Sequence, residues 1–270
     1  MKLACQEQLI PGARLEEKWA FLSRAGFDGI EVLGRGDGAF RERLPELREA
    51  RSAGVPISSV CVAIDHFIGD FDAGRRRDAI EQMEILLSVI AEVGGVGAVT
   101  PAAFGLWSNA LPPWEPPPRD AVGDREVLID ALARLGEHAA REGVAVFLEP
   151  LNRYEDHMVN RLEQAADLCR AVGMPSVQVM ADTFHMSIEE DDLATEIRRV
   201  GPLIGHVQLG DSGRLQPGVG HLDWPSLIAA LRDIGYDGWL AMECGIRGDP
   251  REELPRVAGL LRPMIEETGS

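Results

Sequence analysis

Short apolar, β-branched runs alternate along this chain with longer amphipathic segments, and the alternation occurs eight times. The short runs, which predict strands, are Lys2–Cys5, Gly29–Leu33, Ile57–Val62, Val96–Thr100, Val144–Leu148, Val177–Ala181, Ile204–Leu209 and Trp239–Met242. The amphipathic segments predict helices over Ala13–Ala25, Phe40–Ala53, Gly74–Val93, Ala121–Glu142, Arg161–Val172, Asp191–Val200, Trp224–Ile234 and Pro250–Glu266. Eight successive strand–helix units are typical of a closed parallel barrel. We therefore predict an α/β protein, a (β/α)8 TIM barrel that forms a single domain over residues 1–270.

Glycines at the segment boundaries agree with this fold. Gly26, Gly54, Gly143, Gly173 and Gly235 each follow a predicted helix and precede a strand, which is where helix C-terminal caps lie. The length of 270 residues, of which 45% are hydrophobic, suits one barrel with a sizeable core. An open, doubly wound sheet is the alternative fold, although such sheets rarely contain eight of these units.

One segment interrupts the alternation. Gly105–Asp120 reads GLWSNALPPWEPPPRD and follows the fourth predicted strand. In a barrel this position is on the catalytic face, where a long loop could cover a substrate. A stiff surface excursion or a contact between subunits is the alternative interpretation.

Composition argues against several classes of protein. The formal net charge of -17 would repel phosphate backbones, so we predict no binding of nucleic acids. No apolar run is long enough to span a membrane, and no apolar segment precedes Cys5 as a signal peptide requires. Cys5, Cys61, Cys169 and Cys244 form no CxxC pair, which favours free thiols in a reducing compartment. We expect a cytoplasmic protein without a membrane partner.

Oxygen-bearing side chains lie at the ends of the last four predicted strands. Glu149, Asp182 and Glu243 end strands five, six and eight, and Gln208 lies in strand seven. A lone carboxylate at such a position is usually a helix cap or a salt-bridge partner. Several ionised carboxylates gathered near the barrel axis would repel one another and lose hydration, and a divalent cation removes that penalty. Three carboxylates and an amide oxygen suit manganese or magnesium better than softer metals.

The motifs around these residues resemble a known family. The segments LEPLNRYE, ADTFHM, GHVQLGDSGRLQPGVGHLDW and AMECG, together with AGFDGIEV near the start, are similar to the xylose isomerase-like TIM barrels, the sugar phosphate isomerases and epimerases. The resemblance is greatest to the ketose 3-epimerases, such as D-tagatose and D-psicose 3-epimerase. It implies metal ligands at Glu149, Asp182 and Glu243 and substrate contacts at Glu155, His185 and Arg214. It also implies a homo-oligomer, a dimer or a tetramer.

Gln208 departs from the ketose 3-epimerase pattern. Those epimerases have histidine at this position, whereas hydroxypyruvate isomerases, which are related barrels, have glutamine. Gln208 could still bind the cation through its amide oxygen, and we expect one divalent ion, Mn²⁺ in preference to Mg²⁺ or Co²⁺. His206 lies two residues earlier and should face the same side of the strand. Its ring could orient a metal ligand or the substrate, or it could be a hydrogen-bonded histidine of the core. His66 is a further candidate for substrate binding, with a packing role as the alternative.

The predicted reaction is proton abstraction from a carbon next to a carbonyl, through a metal-stabilised enediolate. Glu149 and Glu243 are the predicted catalytic pair, one removing a proton from one face of the substrate and the other returning it to the opposite face. This sequence of steps epimerises the carbon, so we predict an isomerase that acts on a small sugar or keto acid, most simply a ketose 3-epimerase. Aldose–ketose isomerisation would need only one of these carboxylates.

Four other functions are compatible with a barrel of this kind. They are a hydroxypyruvate isomerase or other aldose–ketose isomerase, a keto-sugar dehydratase, a DNA-repair endonuclease of the endonuclease IV type, and a non-catalytic sugar-binding barrel. The endonuclease requires a histidine-rich zinc cluster and a basic groove, which six histidines and a strongly acidic chain do not favour. The presence of both Glu149 and Glu243 disfavours the non-catalytic barrel.

Overall fold

The computed structural model describes residues 1–108 and 116–267, which form a closed barrel of eight parallel strands. The strands are β1 (Lys2–Gln6), β2 (Gly29–Arg35), β3 (Ile57–Ala63), β4 (Gly97–Pro101), β5 (Ala145–Glu149), β6 (Val177–Asp182), β7 (Ile204–Leu209) and β8 (Trp239–Met242). Each strand pairs with the next, and β8 pairs with β1 to close the ring. The predicted (β/α)8 barrel is therefore confirmed.

Helices surround the barrel and follow its strands. They are α1 (Leu15–Leu22), α2 (Ala39–Glu42), α3 (Leu44–Ser52), α4 (Ala73–Glu92), α5 (Ala121–Glu142), α6 (Leu162–Val172), α7 (Thr183–Glu189), α8 (Leu193–Val200), α9 (Trp224–Asp233) and α10 (Pro250–Glu266). None of the helices within the described ranges combines the length and the apolar character that crossing a membrane requires.

The predicted helix over Phe40–Ala53 is in fact two helices, α2 and α3, that meet at Arg43. Pro45 lies in the first turn of α3. Because proline has no N–H and its ring clashes with the carbonyl four residues earlier, it favours the start of a new helix over the continuation of an old one.

Helix α7 was not predicted from the sequence. It has only seven residues and begins directly where β6 ends, at Asp182. The Asp182 side chain accepts a hydrogen bond from the backbone N–H of Phe184 at 2.7 Å and so caps this helix. A segment of two turns is too short to show the apolar periodicity by which longer helices are recognised.

The barrel interior is apolar at its lower end and polar at its upper end. Val99, Ala145, Phe147 and Met180 form a buried cluster inside the strands. Side chains two positions apart in a strand point to the same face, so Glu149 lies above Phe147 and Asp182 above Met180. The alternation thus delivers carboxylates to the C-terminal mouth of the barrel, above a packed apolar floor.

The loop predicted over Gly105–Asp120 follows β4 in the chain, and its first described residues, 105–108, come after the C-terminal end of that strand. Its described parts, 105–108 and 116–120, contain neither helix nor strand. Residues 109–115 lie outside the described residues, so the predicted role of this loop as a cover or subunit contact stays a prediction.

Candidate active site

Two carboxylate side chains and one imidazole converge at the C-terminal mouth of the barrel. Glu149 and Asp182 are the last residues of β5 and β6, and His185 lies in α7. One potential ligand atom from each lies within 4.8 Å of those of the other two, and all three side chains are buried. The trio forms a candidate site for a divalent metal.

The two oxygens of Asp182 have different surroundings. Oδ1 accepts from the backbone N–H groups of Phe184 and His185 at 2.7 and 3.4 Å, which holds the carboxylate at the N-terminus of α7. Oδ2 is buried and has no hydrogen-bond partner among the described residues. A buried carboxylate oxygen without a donor is costly, and a cation removes that cost.

His185 is a hydrogen-bond donor toward the site because of how its ring is held. Its Nδ1 accepts from the backbone N–H of Asn152 at 3.1 Å and lies 2.9 Å from the side-chain amide nitrogen of the same residue. Since both neighbours donate, the proton of the neutral ring is on Nε2. Burial lowers the pKa of His185 to about 3, which keeps the ring neutral. Its Nε2 atom lies 3.6 Å from Glu149 Oε1 and 3.8 Å from Asp182 Oδ2. A protonated nitrogen cannot bind a metal, so among the trio only the two carboxylates can be ligands.

Arg214 brings a positive charge to the mouth of the barrel. Its Nη1 lies 3.2 Å from Glu155 Oε1, and its Nη2 lies 4.0 Å from Glu243 Oε1. The guanidinium lies over the ring of Phe184, 4.9 Å from its centroid, which adds a cation–π contact. The backbone of Arg214 has a φ of 52°, a left-handed conformation that is uncommon for a residue with a side chain. The β7–α9 loop therefore holds this arginine in a defined but strained position.

Asp211 organises the loop that carries Arg214. Its fully buried carboxylate accepts from the backbone N–H groups of Ser212 and Gly218 at 2.8 and 2.9 Å and from Trp224 Nε1 at 3.0 Å. From the sequence, Asp211 could be read only as a turn residue. The structure shows that it links Ser212 and Gly218 of the loop to Trp224, the first residue of α9.

Gln208 presents one end of its amide to a partner that the sequence did not indicate. Its Nε2 donates to Glu31 Oε1 at 2.7 Å, while its Oε1 is buried without a partner among the described residues. Glu31 also contacts His206, whose Nε2 lies 2.8 Å from Glu31 Oε2. Burial would raise the pKa of Glu31, but the hydrogen bonds from His206, Ser59 and Gln208 outweigh it and lower that pKa. The available signal was an acidic residue inside the apolar strand GIEVL.

Three carboxyl groups share this mouth, two of them buried (Glu149 and Asp182) and one half-buried (Glu243), and the pKa of each is raised. Burial raises the pKa of Glu243 to about 8 and that of Asp182 to about 7. Burial, reinforced by repulsion from Glu243 and Asp182, also raises the pKa of Glu149. Asp182 Oδ2, Gln208 Oε1 and Glu243 Oε2 all lack partners within the described parts of the chain. Excess negative charge and unpaired oxygens fit a hard divalent cation, which takes oxygen ligands.

A cavity of about 270 Å³ opens beside these carboxylates. Glu149, Glu155, Arg214 and Glu243 line its polar side. Its apolar side is formed by residues of the β3–α4 and β4–α5 loops and their neighbours, among them Ile64, Phe67, Phe104 and Leu151. A larger hollow, of about 1020 Å³, lies at the opposite end of the barrel beside Lys2, Val144 and Gly238 and contains none of the four strand-end residues.

His66 was predicted to contact substrate, and this role stays a prediction, since the described contact of its ring is to a neighbouring helix. His66 Nδ1 lies 2.7 Å from Asp78 Oδ2 of α4, and the side chain does not line the cavity beside Glu149. The structure places the other predicted site residues around this mouth: Glu149, Glu155, Asp182, His185, Gln208, Arg214 and Glu243.

Comparisons with known proteins agree with this geometry. A family model described as the xylose isomerase-like TIM barrel matches residues 19–264. The chain belongs to this family. A 3-dehydro-D-guloside 4-epimerase of Escherichia coli is 39% identical over 250 residues, which cover 92% of this chain and 94% of the relative. The crystal structure of the E. coli 3-keto-D-glucoside 4-epimerase in its apo form matches with a TM-score of 0.90 and 38% identity, covering 97% of this chain and 99% of the other.

Ketose 3-epimerases are also relatives. A D-psicose 3-epimerase of Enterocloster bolteae is 43% identical over 124 residues, which cover 46% of this chain and 41% of the relative. The similarity to epimerases confirms the predicted enzyme class, an epimerase among the isomerases. Over most of the chain the 4-epimerase is more similar than an L-ribulose 3-epimerase of Mesorhizobium japonicum, which is 32% identical over 241 residues, and the carbon at which this protein acts stays a prediction. The roles of individual site residues, the manganese ion and the homo-oligomer stay predictions.

Proposed function

We propose that this protein is a metal-dependent epimerase that inverts a hydroxyl-bearing carbon next to the carbonyl of a keto sugar. The observation that carries the proposal is the buried cluster of carboxylates at the barrel mouth, in which several oxygens lack donors. Such a cluster is stable when a divalent cation binds it. Epimerisation next to a carbonyl is a reaction that such a cation promotes.

The residues that would hold the cation are Glu149, Asp182, Gln208 and Glu243. Each supplies oxygen, and three of them have a buried oxygen without a partner in the described ranges: Asp182 Oδ2, Gln208 Oε1 and Glu243 Oε2. When bound there, a divalent cation would polarise the substrate carbonyl and stabilise the negative charge that develops when the neighbouring proton leaves. Mn²⁺ is the ion that we propose, in line with the all-oxygen ligand set.

Glu149 and Glu243 are the proposed proton carriers. They come from β5 and from the end of β8, and both line the same cavity. A substrate between them would present opposite faces to the two carboxylates. One group removes the proton from the carbon, and the other delivers a proton to the opposite face, so the configuration inverts.

His185, Arg214 and Glu155 are the proposed substrate-binding residues. The Nε2–H of His185 points into the site without a partner among the described residues, so it is available to a substrate oxygen. Arg214 and Glu155 form an ion pair at the cavity wall, and together they can donate to and accept from sugar hydroxyls. A neutral, preorganised donor at His185 would also stabilise an oxygen that gains negative charge during the reaction.

A 3-keto glycoside, epimerised at C4, is the substrate class that we favour. The near full-length similarity to the E. coli 4-epimerase supports this choice. The cavity also has an apolar side at Ile64, Phe67 and Phe104, against which the face of a pyranose ring can pack. A ketose, epimerised at C3, is the second candidate, because the D-psicose 3-epimerase is 43% identical over 124 residues. In both reactions the inverted carbon carries a hydroxyl and adjoins the carbonyl.

Deuterium incorporation distinguishes these two substrates. The purified protein with Mn²⁺ in D₂O would be given methyl 3-keto-glucoside, D-fructose or D-psicose, and each mixture followed by NMR. We expect deuterium at C4 of the keto glycoside together with the appearance of its C4 epimer. Deuterium only at C3 of the ketoses would favour the second candidate. If neither substrate exchanged with Mn²⁺, Mg²⁺ or Co²⁺, the proposed reaction would be wrong.

A further inference from the structure

A buried carboxylate below the proposed metal site makes a contact that determines how Gln208 is oriented. Glu31 lies on β2 and is fully buried. Gln208 lies on β7, and β1 and β8 separate the two strands around the ring. The 2.7 Å hydrogen bond between Gln208 Nε2 and Glu31 Oε1 therefore crosses the inside of the barrel. No other contact in the described residues ties the amide nitrogen of Gln208 to a carboxylate.

The chemistry of a carboxylate gives this bond a direction. An ionised carboxylate only accepts hydrogen bonds, and an amide donates only through its nitrogen. The nitrogen of Gln208 must therefore face Glu31, and the oxygen must point the other way. That oxygen is buried and has no partner among the described residues. Strand register places Gln208 beside Asp182, whose own Oδ2 is likewise unpaired.

Glu31 is itself held by several donors. Ser59 Oγ donates to Oε2 at 2.6 Å, and His206 Nε2 lies 2.8 Å from the same oxygen. Gln6 Nε2 donates to Oε1 at 3.1 Å. The ring of His206 also stacks on Phe147, with centroids 5.1 Å apart. These contacts fix the carboxylate, and so they fix the point toward which the Gln208 amide must turn.

We propose that Glu31 is a positioning residue of the metal site: it fixes the Gln208 amide so that its oxygen, and not its nitrogen, faces the cation. Glu31 does not bind the cation or touch the substrate in this proposal. A freely rotating glutamine would present its amide hydrogens to the cation part of the time, and these repel it. The inference rests on the proposed function, because it requires that a cation binds at Gln208.

Calorimetric titration with Mn²⁺ alone, without substrate, tests this role. We expect Glu31→Gln to raise the Kd for Mn²⁺ by about 10- to 100-fold, the range typical of residues that orient a ligand. Ser59→Ala removes one of the donors that hold Glu31 but leaves the Gln208 bond in place, so it should raise the Kd by less than Glu31→Gln does. Glu196→Gln is the matched control, because it changes a largely buried glutamate on α8 that pairs with Arg199 away from the site.

A reciprocal exchange separates orientation from a purely structural role. In Glu31→Gln/Gln208→Glu the donor and acceptor change places, so the hydrogen bond can form again and a carboxylate oxygen faces the cation. We expect this double variant to recover most of the lost affinity. Thermal unfolding of each metal-free variant shows whether it is folded.

The outcomes distinguish this inference from the proposed function. If the wild-type protein did not bind Mn²⁺, the proposed metal site itself would fail. If the wild type bound Mn²⁺ and Glu31→Gln bound it equally well, only the role of Glu31 would be wrong. A loss of affinity that the reciprocal exchange did not restore, in a folded protein, would also overturn the role, since orientation would then not be the cause.

Discussion

The backbone N–H of Asn152 donates to Nδ1 of His185 at 3.1 Å, and this bond places the remaining proton of the imidazole on Nε2. His185 lies as close to Glu149 and Asp182 as a third metal ligand would. The Asn152 bond nevertheless makes it a donor, so proximity alone does not determine the role of this ring.

Because His185 is a donor and not a ligand, His185→Ala and Asp182→Asn should differ in their affinity for Mn²⁺. His185→Ala should keep the wild-type Kd for Mn²⁺ and lower kcat by about 100-fold, the size of effect that follows loss of a donor to a developing oxyanion. Asp182→Asn should instead lose most of its Mn²⁺ affinity, because it removes a ligand. Calorimetry with Mn²⁺ and initial rates with the keto glycoside measure both. A His185→Ala protein that had lost its metal would show that the ring is a ligand after all.

Replacing either proposed proton carrier should stop proton transfer without removing the metal. Glu149→Gln and Glu243→Gln each retain an oxygen that can reach the cation but can no longer carry the proton. We expect each to lower the rate of deuterium exchange by about 100- to 10,000-fold, the range that general acid–base catalysis typically contributes. Circular dichroism and metal content would establish that both variants are folded and loaded. Full exchange in either folded variant would contradict the two-carboxylate mechanism.

Arg214 should act mainly on binding. Its guanidinium bonds Glu155 and stacks over Phe184 in a strained loop, so its position is set before substrate arrives. Arg214→Ala should raise KM by about tenfold or more, since hydrogen bonds to charged groups contribute about 1.5–3 kcal/mol. Arg214→Lys keeps the charge but loses the planar fork, and it should recover only part of this loss. Steady-state rates over a range of substrate concentrations measure KM and kcat separately. A drop in kcat at unchanged KM would assign Arg214 to the chemical step instead.

The raised carboxyl pKa values predict how metal binding depends on pH. Asp182, with a pKa of about 7, and Glu243, with a pKa of about 8, hold protons in the metal-free protein that a cation must displace. Affinity for Mn²⁺ should therefore fall as the pH drops below 8, by about tenfold per pH unit for each proton released. Calorimetry in buffers of different ionisation enthalpy counts these protons. Affinity that did not change between pH 6 and pH 8 would show that both groups are already ionised.

The same shifts predict the stability of the metal-free protein. Both carboxyl groups have a higher pKa in the folded chain than in the unfolded chain, so the folded state binds more protons between about pH 4 and pH 8. Their contribution is fully present below about pH 4 and is lost as the pH rises through 7 and 8. Denaturant unfolding of the metal-free protein should show the loss over that window, and Asp182→Asn should reduce it. An unchanged slope in Asp182→Asn would mean that other groups cause the effect.

The identity of residue 208 should influence which metal binds. Gln208→His would exchange an amide oxygen for an imidazole nitrogen, a ligand that suits Co²⁺ and Zn²⁺ better than Mg²⁺ or Mn²⁺. We expect the ratio of Co²⁺ to Mn²⁺ affinity to rise in this variant. Competition titrations with the two ions measure the ratio, with the wild type as reference. An unchanged ratio would mean that residue 208 does not bind the metal.

The barrel and the positions of its acidic residues could be predicted because both depend on local periodicity. Alternation of apolar runs with amphipathic segments determined the eight units, and every predicted strand overlaps an observed one. The strands β5 and β6 end on Glu149 and Asp182, where a carboxylate follows an apolar run. Parallel strands of a barrel end on the same face, so these side chains were expected to converge there. The short helix α7 and the break at Arg43 escaped prediction, because each depends on a few residues and not on a repeating pattern.

The sequence by itself therefore determined the architecture of this protein and the mouth at which its carboxylates collect. The tertiary structure decided what each polar group does there. Glu31 and Gln208 are 177 residues apart in the sequence, and Asn152 and His185 are 33 apart. The direction of an amide and the proton position of an imidazole depend on which donors and acceptors face them. Those neighbours come from strands and loops distant in the chain, so they are defined only once the barrel has closed.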